Sequence, residues 1–90
     1  MVEQTLEFRG IHVEHLMNYL IELGAVKQTF EFPFVFQGPD WQAIILSENH
    51  VRFTPVFIVN AVFIQFEAPS EEILQDVITA FRRKTFRAGG

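Results

Sequence analysis

His12 and His15 are the first residues whose type and spacing could do chemistry. Three residues apart on a helix they share a face, an arrangement in which two imidazoles can chelate one metal ion. A complete site needs a third ligand, and Glu22 and His50 are the available candidates. A water-facing helix surface that happens to hold two imidazoles accounts for the same spacing without a metal. Arg82, Arg83, Lys84 and Arg87 form a second cluster, suited to a phosphate or an acidic partner. Cations at a helix C-terminus are favoured by the helix dipole in any case. No nucleophile–base–acid set presents itself. Cys is absent, Asp40 and Asp76 are the only aspartates, and the five glycines build no phosphate-binding loop. Catalysis by this chain alone is not expected, and no resident cofactor is implied.

The sequence ends Arg87-Ala88-Gly89-Gly90. A Gly89-Gly90 pair on a free tail resembles the tails of ubiquitin-like and sulfur-carrier proteins. In those families a slim, bare carboxylate threads into an adenylating enzyme and is activated. The resemblance implies an accessory or carrier role in sulfur transfer or cofactor biosynthesis. Those families resemble a β-grasp, which opens with a hairpin and enters its tail from a strand. The pattern here opens strand–helix and enters the tail from a helix.

Ninety residues suffice for one domain, 1–90, with a short flexible tail expected at 85–90. With 49% hydrophobic residues and 11 Phe, the chain is rich enough to fold around a core rather than stay disordered. The net charge of -4 argues against a nucleic-acid partner, which needs a basic surface. No apolar run approaches the roughly 20 residues of a membrane span. Without cysteines or an apolar leader, a cytoplasmic setting is expected.

The elements that must position these residues read as follows. Val2, Gln4, Leu6 and Phe8 alternate with Glu3, Thr5 and Glu7, which predicts a strand over 2–8. Val13, Leu16, Met17, Leu20 and Ile21 recur at helical steps, predicting a helix over 11–23 that Gly24 stops. Phe30, Phe32, Phe34 and Phe36 share one parity with Val26 and Gln28, which predicts a long strand over 26–36 with a buried Phe face. Further strands are expected over 41–47, 51–59 and 61–67, with turns at 48–50 and at 59–61 and with Pro55 at an edge or bulge. Ser70 caps a final helix whose buried stripe is Ile73, Leu74, Val77, Ile78 and Phe81.

The order β-α-β-β-β-β-α predicts an α+β two-layer sandwich: a five-stranded, mainly antiparallel sheet with two helices on one face. This order resembles one repeat of the TATA-binding-protein-like fold; a ferredoxin-like arrangement is the alternative and lacks its last strand here. The chain also resembles small bacterial proteins related to the C-terminal part of a molybdopterin-synthase-small-subunit-like protein. On the open sheet face, Val35, Val56, Ile58 and Phe63 are expected to form one patch with Pro33, rimmed by Lys27, Glu31, Arg52 and Gln65. The functional expectation is a small interaction module that forms a homodimer, or contacts another protein, through that face.

Overall fold

The computed structural model describes residues 1–89, apart from the side chains at 53 and 87–89. Its elements are β1 (Val2–Arg9), α1 (Val13–Glu22), β2 (Val26–Lys27), β3 (Phe34–Gln37), β4 (Gln42–Thr54), β5 (Phe57–Ala68) and α2 (Glu71–Gly89). The five strands form one sheet in the order β1-β5-β4-β3-β2, antiparallel at every step. Both helices lie on the same face, so the protein is a two-layer α+β sandwich with the expected element order.

Period-2 alternation decides which side chains the helices cover. Leu6 and Phe8 of β1, Val62, Ile64 and Phe66 of β5, Ala43 and Ile45 of β4 and Phe36 of β3 point under them. Phe81 of α2 sits at the centre of this layer. Its ring meets Phe8 at 5.2 Å, Phe66 at 5.3 Å and Tyr19 at 6.2 Å, each edge to face, so one side chain ties two strands to both helices.

The helix ends follow local rules. Gly24 adopts φ 101°, and the bonds Gly24 N to Ile21 O (3.0 Å) and Ala25 N to Leu20 O (3.1 Å) close α1 as a Schellman motif. At α2 the Ser70 hydroxyl accepts the Ile73 N–H at 3.3 Å, the cap expected there. Helix α2 then runs through Gly89, where a tail from 85 onward was expected. Thr85 is the reason: it is buried, and its hydroxyl donates to Arg82 O at 2.9 Å inside the helix.

Two strand assignments are corrected. The Phe-rich stretch is not one strand but two short ones, β2 and β3, paired with each other through Val26–Gln37 and Lys27–Phe36. Residues 28–33 form the loop between them. Pro33 has no N–H to give a ladder, and the Thr29 hydroxyl accepts the Val35 N–H at 3.0 Å and donates to Pro33 O at 3.0 Å, folding the run back. Phe36 is fully buried, but Phe30 is 85% exposed.

The other correction concerns the expected turns at 48–50 and 59–61, which do not exist. Strand β4 passes through the first with an irregularity between Ile45 and Ser47, and β5 passes through the second. The turn falls instead at Pro55-Val56, between Thr54 and Phe57. The sheet therefore contains one long hairpin, of 13 and 12 residues, where three shorter strands were expected.

Candidate functional site

His12 and His15 stand where the helix expectation placed them, at the start of α1 and exposed, with ring centroids 6.0 Å apart. They line an open cavity of about 380 Å³ with Val13, Glu14 and Glu48. Glu48, unnoticed in the sequence, arrives from β4 because the strand continues where a turn was expected. Its carboxylate accepts the Asn60 side-chain amide at 3.1 Å. Among the described residues no group of three or more His, Asp or Glu side chains is placed to hold a metal ion. Neither third-ligand candidate joins the pair: Glu22 is bonded by Lys84 at 2.7 Å, tying α1 to α2, and His50 lies along the β4 arm.

That ion pair also divides the basic cluster. Arg82, Arg83 and Lys84 are consecutive on a helix, so they leave it in three directions, and Lys84 is engaged. These three make no single anion cradle, and the Arg87 side chain lies outside the described residues.

The expected apolar patch is split by parity. Val35 and Phe63 do lie on the open face: Val35 pairs with Ile44, and Phe63 faces Glu7 and Ser47. Ile58 and Phe63 are five residues apart in one uninterrupted strand, so they project from opposite faces. Val56 belongs to neither face; it caps the hairpin turn, 94% exposed. Pro33 lines a shallow apolar depression with Thr29, Phe30, Glu31, Phe32 and Val35. Lys27 is turned toward the helix side, its ammonium 4.7 Å from the centre of the Phe34 ring.

A separate cavity of about 260 Å³ opens between α1, α2 and the β3–β4 turn, lined by Leu23, Asp40, Trp41, Ile73, Asp76, Val77 and Ala80. Trp41 lines it, packed over Gly38 so closely that a Cβ there would clash with the indole. No helix is long and apolar enough to cross a membrane.

Of the Gly-Gly pair, Gly89 closes α2, and Gly90 lies outside the described residues. The last carbonyls of a helix have no intrahelical donors, and glycine is about 1 kcal/mol poorer than alanine in a helix. This end of α2 is thus the part of the helix that unwinds at least cost.

Fold and surfaces together define a small two-layer α+β module whose distinctive features are an uncovered hairpin, an exposed aromatic loop and a glycine end. Over residues 4–90 the sequence matches the family model described as archaeal MoaD-like protein, and the chain belongs to that family. No curated protein and no solved structure matches it. The family agrees with the resemblance to molybdopterin-synthase-small-subunit-related proteins.

Proposed function

We propose that this protein is a small sulfur-carrier-like accessory protein that works through a carboxylate at Gly90. The observation that carries the reading is family membership over a match that extends to the Gly89-Gly90 pair. The physical chemistry of the end supports it. A terminal carboxylate at a helix C-terminus meets the negative end of the dipole, unfavourable by about 0.3–1 kcal/mol, and Gly89 weakens the last turn further. A Gly-Gly end carries no side chains and so fits a narrow channel.

In the reaction the Gly90 carboxylate attacks the α-phosphorus of ATP and pyrophosphate leaves. Hydrosulfide then adds to the acyl carbon, the bond to AMP breaks, and a thiocarboxylate remains. The adenylating enzyme supplies every catalytic group; this chain supplies the carboxylate and the docking surface. The role requires Gly90 to be the natural end of the chain.

Intact-mass spectrometry tests the proposal, with the protein incubated with ATP, hydrosulfide and a MoaD-type adenylating enzyme. The expected product carries one sulfur in place of one oxygen, and a chain lacking Gly90 stays unchanged. No ATP-dependent mass change, or a natural chain that continues beyond Gly90, would overturn the reading.

A further inference from the structure

The β4–β5 hairpin reaches past everything that covers the rest of the sheet. On its far side β4 is paired with β3 only up to Ile45, opposite Phe34. From 46 to 54, nine positions, no strand pairs with that edge among the described residues. Among the described residues, strand pairing of β5 on its own far side reaches Ala61, and Gly10 bonds Asn60 just beyond it, so that side is covered much further toward the tip than the β4 edge is. An isolated two-stranded ribbon is marginal in water, and an open edge this long invites another strand. The ribbon ends in apolar groups: Val56 is 94% exposed, Phe57 56% and Ile58 49%. The β2–β3 loop leaves the sheet at the same end, with Phe30 85% exposed.

The charge pattern along the open edge selects the occupant. Glu48, His50 and Arg52 alternate on one face of β4, with opposite charges at equal distances from His50. When two such edges pair antiparallel about a two-fold axis at His50, each Arg52 stands directly opposite Glu48 of the other copy. Moving the axis by one residue puts Arg52 opposite His50 or opposite Leu46, and both ion pairs are lost. In the matched register the hairpin tip of each copy ends where β3 of the other begins, beside its Phe30 loop. We propose that the edge of β4 over 47–52, the regular stretch between its irregularities at Ile45/Ser47 and Arg52/Thr54, is a self-association site, joining two copies through antiparallel pairing about His50. The exposed Val56, Phe57, Ile58 and Phe30 side chains at the tip and loop add apolar surface to the pairing, toward the roughly 800 Å² per partner of a stable interface.

Light scattering after size exclusion, at micromolar concentration, reads the outcome. The native protein is expected to be a dimer. Arg52→Glu turns two attractions into two repulsions and should weaken the dimer roughly tenfold or more while leaving circular dichroism unchanged. The double exchange Glu48→Arg with Arg52→Glu restores the attractions in the reversed sense and should restore the dimer. Glu48 also holds Asn60, so the exchange is compared with Glu48→Arg alone, which must be folded and monomeric. A monomeric native protein, a dimer indifferent to Arg52→Glu, or a folded double variant that stays monomeric would each overturn the proposal.

Discussion

Asn60 and Ile11, 49 residues apart, are joined by a 2.6 Å bond from the Asn60 amide to the Ile11 carbonyl oxygen. The same amide nitrogen reaches Glu48 at 3.1 Å. This junction marks where the helix layer stops and the bare hairpin begins. It pins the segment entering α1 to β5, and so fixes the position of His12 and His15 above Glu48. Asn60→Ala removes both bonds and leaves a half-buried carbonyl oxygen without its donor. A loss of about 1–2 kcal/mol is expected in urea unfolding. Asn49→Ala, exposed and with its side-chain amide on the Ser47 hydroxyl at 3.4 Å, should change stability by less than about 0.5 kcal/mol. Equal losses would show that the junction carries no special weight.

The Phe-rich run gives the second prediction. Phe36→Ala empties a fully buried site and should cost roughly 3–5 kcal/mol. Phe30→Ala, whose ring is mostly in water, should cost less than about 0.5 kcal/mol. Phe32→Ala falls between them: Phe32 is 46% exposed and packs on Phe34 at 4.5 Å. Thermal unfolding of the three variants orders them, and a loss at Phe30 as large as at Phe36 would mean that the run forms one strand after all.

Why part of this was legible in the sequence, and part not, follows from those residues. Both helices, their caps at Ser70 and Gly24, and the strand at the N-terminus were written in local chemistry that nothing remote competes with. The parity of Phe30 to Phe36 was equally clear, but alternation does not reveal where a run folds back. Pro33 and Thr29 carried that information, through a missing donor and a hydroxyl able to replace a ladder bond. Pro55 was similarly informative, since proline favours the second position of a tight turn. Placing the turn there joins 42–54 into one strand, longer than strands usually are. The surfaces suffered most, because one misplaced turn reverses every side chain beyond it. The supposed patch of Val35, Val56, Ile58 and Phe63 came apart for that reason alone. Glu48 and Asn60, both read as turn residues, proved to hold the molecule's middle together.

The turn between β3 and β4 supplies a third prediction. Gln37 donates through its side-chain amide to Gly38 O at 3.0 Å and Trp41 O at 3.1 Å, and Gly38 N donates to Trp41 O at 2.8 Å. The buried Trp41 ring lies on the bare Cα of Gly38. Gly38→Ala would set its methyl against the rigid indole and force the ring out of its place over α2. A destabilisation of about 1–3 kcal/mol is expected, with a red shift in Trp fluorescence as the ring gains water. An unshifted spectrum with unchanged stability would show that the turn yields freely.

The ion pair between Lys84 and Glu22 sets the last expectation. At 2.7 Å it is short, but Glu22 is more than half exposed, and such pairs contribute about 0–1 kcal/mol. Lys84→Met keeps most of the apolar stem that lies along the helix contact and removes the charge. It should lower stability by less than about 1 kcal/mol, and the difference from the native protein should shrink in high salt. Lys84→Asp places a second negative charge beside Glu22 and should cost more than the methionine variant. Urea titrations of the three proteins at low and high salt test this ordering. A methionine variant losing several kcal/mol, independent of salt, would show that packing of the stem rather than charge holds α1 to α2.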